Sequence, residues 1–363
     1  MMSRQVGVIG LGHTRFGKWD GSFTDMCCSA AVEAMEDAGI LPGSGLIDQL
    51  LLATMGAQTL NRQSGVASAL VDLLNLRPAM AETVDNGPAS GASAVKFAYL
   101  AIASGMCDVV LVIGAEMMRG VSGRTCTDLV ATLLHPEAEN YYGLTLPALA
   151  GMFTRLRMEE YGLTANDLAL VAIKNHQNAA LNPLAQFQTM PLLEKITGSQ
   201  ADLTNPYVAE PLRLYDVCPL SDGASALVLC ALDAFPGRKR KPVLIKGIGQ
   251  ATDTHAVSER AVPSELLAVR LAAERAYAMS GMSPADIDLA ELHDAFVVLE
   301  IVQSEEAGFF ARGEGHLAVR RGDTMIGGRM PINTSGGLKA KGHPLGATGV
   351  SQIHEIVTQL RGE

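Results

Sequence analysis

Apolar residues along this chain come in short continuous runs rather than in strict alternation, a pattern that predicts strands buried on both faces. VGVIGLG (residues 6–12) is one such run, closed by glycines, and VLIKGIG (residues 243–249) repeats it. A helical pattern follows each. AAVEAMEDAGI (residues 30–40) and AAERAYAMSGM (residues 272–282) share an Ala-Ala opening, an Ala at the fifth position and a Gly near the end, where a helix cap takes positive φ. Ile-Asp pairs come next, and then a second predicted strand in each copy, QLLLATM (residues 49–55) and LAELHDAF (residues 289–296). Both copies lead on to a Gly-rich turn and a helix with small residues at close-packing positions, over residues 86–105 and 336–360. Matching elements in a fixed order indicate internal duplication.

The first copy continues into two more apolar runs, DVVLVIGAE (residues 108–116) and SALVLCAL (residues 225–232). The second copy has no counterpart to either before Glu363, so the repeat predicts a second sheet short of two strands. The expected organisation is a first half over residues 1–242 and a second over residues 243–363. Between about residues 117 and 216 lies a stretch rich in His, Asn, Tyr, Pro and Met that fits neither copy and is expected to be an inserted loop domain covering the substrate.

Composition narrows the function. Hydrophobic residues make up 48% and charged residues 18%, with a net charge of −10, which opposes binding to nucleic acid or anionic lipid. RKRK at residues 238–241 is the single basic run and reads as a solvated linker between the halves. No apolar stretch approaches the roughly 18 residues of a membrane helix, and the N-terminus has no signal pattern, so a cytoplasmic protein is expected. The six cysteines form no CxxC pair and no metal-ligand spacing with His; no metal is expected, and buried small hydrophobes are the default reading. GLGHTRFG (residues 10–17) departs from GxGxxG spacing and reads as turn chemistry.

PINTSGGLKAKGHPLGATGV (residues 331–350) resembles the C-terminal signature of thiolases, in particular the sterol-carrier-protein type. HDAF (residues 293–296), CPLSDGASALVL (residues 218–229) and PASG (residues 88–91) resemble further elements of that group, and HQNAALNP (residues 176–183) its loop-domain segment. The resemblance covers nearly the whole chain and implies an α/β thiolase fold: a duplicated five-layer αβαβα sandwich with an inserted loop domain. It also implies a dimer across the first-half sheets and a coenzyme A thioester as substrate or ligand, with no permanently bound cofactor.

In the family the nucleophile is a Cys at the start of a buried helix, where the helix dipole favours thiolate. Aligning Ala89-Ser90-Gly91 places Pro88 at that position. Proline has no nucleophilic atom and no N–H, so thiolysis through an acyl-enzyme here is excluded by that alignment. Ser90 reads as packing or capping at the helix start, and Cys126 as a loop thiol with no required role. The family's second catalytic Cys, in a Cys-x-Gly-Gly turn, would follow Glu363 and is expected to be absent or supplied by a partner. His343 resembles the histidine that activates the nucleophile, and His293 the residue that completes the oxyanion hole. Asn333 would support this wall or simply make the turn, with Gly336, Gly337 and Gly342 lining the thioester pocket. Two functions follow from the pattern. One is an acyl-CoA carbon–carbon lyase or ligase that uses the histidines without a cysteine. The other is an inactive subunit that supports a thiolase-like or OB-fold partner.

Overall fold

The computed structural model describes residues 4–189, 193–198, 201–234 and 239–363. Its strands are, in chain order, β1 (Val6–His13), β2 (Gln49–Ala53), β3 (Met80–Val84), β4 (Val109–Glu116), β5 (Tyr207–Ala209), β6 (Leu212–Arg213), β7 (Gly223–Ala231) and β8 (Val243–Leu244). The chain divides into two compact units. Unit 1 comprises residues 1–123, 220–245 and 343–363; unit 2 comprises residues 124–219 and 246–342.

Unit 1 is a mixed six-stranded sheet in the order β3-β2-β4-β7-β1-β8. β2 runs parallel to β3 and β4, with Gln49 opposite Met80 and Val110; β7 is antiparallel to both β4 and β1, with Cys230 opposite Val109 and Gly7. Every residue of β1, β4 and β7 is buried, as their continuous apolar runs require. The pleat sends alternate side chains to opposite faces. Ile9, Leu50, Leu111, Ile113 and Val228 pack with the helices Phe23–Ala38 and Val66–Leu73. Val8, Leu51, Val110, Val112 and Leu229 pack with Ser90–Ala103 and Leu345–Arg361. The result is three layers, and the last helix of the chain belongs to one of them.

Ser22 starts the Phe23–Ala38 helix with a capping box to Asp25, and Gly39, at φ 76°, ends it. The helix lies directly on β1: a Cβ at Gly10 would collide with the Ala34 carbonyl, and one at Gly12 with the Ala30 carbonyl. Unit 2 repeats the arrangement, with Gly247 against Ala276 and Gly249 against Ala272. The duplication read from the sequence is therefore also a duplication of strand-on-helix contact.

The second copy diverges where its strands should pair. Of the run at residues 243–249, only Val243–Leu244 forms a strand, against β1. The run at residues 289–296 makes a single parallel bridge from Ala290 to Ile332 and another from Phe296 to Val217. In unit 1, β4 and β7 fill the space between β1 and β2; among the described residues, the two extended segments of the second copy make only the pairings just given. The helix Leu267–Ser280 accordingly has no buried residue, whereas its counterpart Phe23–Ala38 buries eight.

Unit 2 is otherwise helical. Leu146–Tyr161, Ala165–Ala180 and Val297–Glu306 share a core built on Phe153, Leu168, Val171, Val298 and Ile301, joined by Leu212 of the β5–β6 ribbon. Of the basic run, Arg238 lies outside the described residues, while Arg240 pairs with Asp37 at 2.8 Å and Glu363 at 2.9 Å. No helix among the described residues is long and apolar enough to cross a membrane.

Candidate active site

The predicted site residues fall into two sets. Pro88, Ser90 and His343 belong to unit 1; His293, Asn333, Gly336, Gly337, Gly342 and Cys126 belong to unit 2.

In unit 1, Pro88 lies in the turn that precedes the Ser90–Ala103 helix. The Ser90 hydroxyl accepts from Asn86 N at 2.8 Å and donates to Gly87 O at 2.6 Å, so it makes the turn. This helix meets the start of Leu345–Arg361 at glycines: a Cβ on Gly91 would lie 2.8 Å from the Gly346 carbonyl and 3.0 Å from Gly349 N. His343 sits just before the second helix and is buried. Its Nδ1 is 2.7 Å from Thr348 Oγ1, and that hydroxyl donates to Pro344 O at 3.0 Å. With the hydroxyl proton committed, Nδ1 carries the imidazole proton and Nε2 is the basic nitrogen. The His343 N–H donates to Ser221 Oγ at 3.0 Å.

Glu116, at the end of β4, holds this corner. Its carboxylate accepts from Thr54 Oγ1 at 2.9 Å, Met55 N at 3.0 Å, Gly56 N at 3.0 Å and Gly346 N at 3.2 Å. Burial pushes its pKa up, and these hydrogen bonds oppose the rise. Sequence reasoning missed Glu116, although a carboxylate ending an apolar run buried on both faces is a visible signal.

In unit 2, the His293 backbone is clamped by one side chain: its N–H donates to Gln303 Oε1 at 3.1 Å, and Gln303 Nε2 donates back to its carbonyl at 2.7 Å. Burial lowers the His293 pKa to about 4, so the ring is neutral at pH 7 and acts as a hydrogen-bonding group rather than a charge. Asn333, fully buried at φ 56°, engages both its amide oxygen and its amide nitrogen in structural hydrogen bonds. Its Oδ1 accepts from Leu292 N at 2.7 Å, and its Nδ2 donates to Glu300 Oε2 at 2.7 Å. It is thus a positioning residue for the His293 segment. Lys174 pairs with Glu300 at 2.7 Å, and Asn175 Nδ2 bridges Glu300 Oε2 and Asp294 Oδ2. This buried network of Lys174, Asn175, Asp294 and Glu300 was not anticipated, because bonded partners such as Asn175 and Glu300 lie 125 residues apart in the chain.

Gly336 and Gly337 are required by contact and conformation. Their φ values are 105° and 61°, and added Cβ atoms would come 2.6 Å from Ala179 Cβ and 2.7 Å from Asp294 Oδ1. Gly342, at φ 119°, closes the same turn. Asp294 ties that turn to the His293 segment, accepting from Leu338 N at 2.6 Å and Lys339 N at 3.2 Å. Cys126 is buried. No cluster of His, Cys, Asp or Glu among the described residues has the arrangement of a metal site.

Residues 6–233 match the family model for the thiolase N-terminal domain, and residues 249–363 that for the thiolase C-terminal domain-like family. An acetyl-CoA acetyltransferase of Methanothermobacter thermautotrophicus is 41% identical over 99% of this chain and 92% of its own length. Sterol carrier protein 2 of Bos taurus is 32% identical over 100% of this chain and 67% of that protein. Among solved structures, the Ltp2-ChsH2(DUF35) aldolase superposes with a TM-score of 0.82 at 30% identity, over 100% of this chain and 91% of the other. Two family models that together span both copies of the repeat, and a relative 41% identical along almost the whole chain, leave one assignment: the chain belongs to the thiolase family.

Proposed function

We propose that this protein makes or breaks the carbon–carbon bond beside a coenzyme A thioester without a cysteine acyl-enzyme. The observation that carries the proposal is the His343 Nδ1 contact to Thr348 Oγ1 in unit 1, which leaves Nε2 as the base, taken together with Pro88 in the turn where the resemblance would place the nucleophile. A basic imidazole can take or return a proton in retro-aldol or aldol chemistry, and a neutral His293 can donate a hydrogen bond to an enolate oxygen. Neither role needs a thiol. Names of relatives support the substrate class: one is an acetyl-CoA acetyltransferase and one solved neighbour an aldolase.

We infer further that the chain works as an assembly. Among the described residues β3 pairs only with β2, leaving its other edge open, and beside it lies a groove of about 580 Å³ whose lining includes Leu51, Val84, Phe97, Leu100 and Met106. An open strand edge next to exposed apolar side chains suits pairing with a second copy. The solved neighbour named Ltp2-ChsH2(DUF35) aldolase is a two-component assembly by its name, which supports a partner chain for this one as well. All six cysteines are free thiols, which fits the reducing cytoplasm.

The test is turnover of acyl-CoA by the protein purified with its co-expressed partner chains. His343→Ala is expected to lower the rate at least about a hundredfold, the scale of a lost general acid–base. Unchanged turnover would refute the role. An assembly that binds thioesters but has no activity even with intact His343 would favour the second reading, a subunit that retains binding and has given up catalysis.

A further inference from the structure

Lys339 and His176, both in unit 2, are polar groups buried to 4% exposure. Neither ring nitrogen of His176 has a partner of good geometry among the described residues. The Lys339 ammonium meets no carboxylate at ion-pair distance; its nearest recorded neighbours are the faces of Tyr215 at 5.5 Å and Phe187 at 5.8 Å. His176 packs on the same two rings, 5.5 Å from Phe187 and 5.9 Å from Tyr215. Two buried donors facing a shared aromatic wall cost stability unless something fills the place.

The surrounding groups do not satisfy the ammonium. Asp294 is saturated by the Leu338 and Lys339 N–H groups and the Asn175 amide, and Asp216 caps a short turn by accepting from Arg213 N at 2.8 Å. Burial pushes Asp216 up to about 6, Asp294 to about 7 and the Cys218 thiol to about 12, so at pH 7 the thiol is neutral and Asp294 half-protonated, while Asp216 remains mainly a carboxylate that faces the ammonium without an ion-pair contact. His176 is held neutral by burial and then by the Lys339 charge, at a pKa of about 4, with the Thr189 backbone weakly opposing the shift. The site therefore presents one ammonium and one imidazole N–H.

We infer that Lys339 and His176 receive a carboxylate carried on the acyl group of the thioester, the ammonium taking one oxygen and the imidazole N–H the other. Two donors of fixed position suit the two oxygens of a carboxylate, and Phe187 and Tyr215 keep water from competing. Asp294, next in sequence to His293, accepts the backbone N–H of Lys339 itself, so a hydrogen bond ties the receptor to the His293 segment. The inference rests on the thioester reading above and names its substrate class: a dicarboxylic acyl group with one end free.

Calorimetric titration of the full chain with succinyl-CoA, pentanoyl-CoA and free CoA tests it. The two thioesters are similar in length and differ in the terminal carboxylate. Wild type is expected to bind succinyl-CoA about tenfold or more tightly than pentanoyl-CoA, the range for hydrogen bonds to a charged group. Lys339→Met should abolish that preference while keeping its affinity for pentanoyl-CoA, and His176→Gln should reduce it. Equal binding of both thioesters by wild type, or a preference that survives both substitutions, would overturn the carboxylate receptor and leave the thioester reading standing. Binding of neither thioester would overturn both. Should Lys339→Met fail to fold, the wild-type preference and His176→Gln still decide.

Discussion

Replacing Glu116 should uncouple the His343 corner from the rest of unit 1, and the arrangement of its donors predicts by how much. Oε1 accepts from Thr54 Oγ1 and Gly56 N, and Oε2 from Met55 N and Gly346 N. In Glu116→Gln one oxygen becomes an NH₂. Placed at Oε2, it would oppose two backbone N–H groups; placed at Oε1, it would oppose only Gly56 N, because the Thr54 hydroxyl can rotate and accept. The amide is therefore expected to sit with nitrogen at the Oε1 position, leaving one buried donor unsatisfied, a loss of about 1–3 kcal/mol. Glu116→Ala strands all four donors and opens a cavity, so its loss should be well above that of the glutamine variant, about 4 kcal/mol or more. Urea unfolding with a shared m-value measures both differences. Because Gly346 is in the first turn after His343, the glutamine variant should also lose turnover under conditions where it is fully folded. If Glu116→Ala unfolds within 1 kcal/mol of wild type, or is no worse than Glu116→Gln, the carboxylate does not hold this corner.

The remaining prediction sets two opposed groups against each other and a buried pair against its own removal. His176 is shifted from 6.5 to about 4 in the fold; a lowered folded pKa means stability that is full above pH 6.5 and drains away as pH falls toward 4, about 2–3 kcal/mol by pH 4.5. Asp216, raised to about 6, works in the opposite direction over the same interval, so His176→Gln should flatten the acid limb of the stability profile, and parallel wild-type and variant profiles between pH 7 and 4.5 would refute this assignment. Arg157 and Glu305 form an ion pair at 1% and 2% exposure, with the guanidinium over the Tyr161 ring at 4.0 Å; Arg157→Met should cost about 3–5 kcal/mol by chemical denaturation, and Arg157→Met/Glu305→Leu should recover most of it.

The sequence announced the fold through features that act locally. Apolar runs marked β1, β4 and β7, glycines closed the first strand of each copy, and the glycine near the end of residues 30–40 marked a helix end. The duplication was visible for the same reason, since each copy must solve the same packing problem with the same small residues. What it concealed was long-range polar pairing. Asn333 read equally as a site residue or a turn residue, and only Leu292 and Glu300, 41 and 33 positions away, decide that its amide is consumed. Gln303 and Asn175 carried no periodic signal, because a buried amide is placed by its partners and not by its neighbours in the chain. Lys339 stood in a signature turn without attracting notice, since burial of a lysine depends on what folds over it.

Unit 1 is assembled from three separated stretches, and the last of these, Leu345–Arg361, covers a face of the sheet against Val110, Val112 and Leu229. During synthesis, β1 to β4 leave the ribosome long before that helix exists, so an apolar sheet face waits for more than two hundred residues of further translation. Domains whose closing element comes last cannot fold in step with elongation and present sticky intermediates in the meantime. Production of this protein will therefore depend on chaperone capacity and translation speed as much as on the stability of the finished fold.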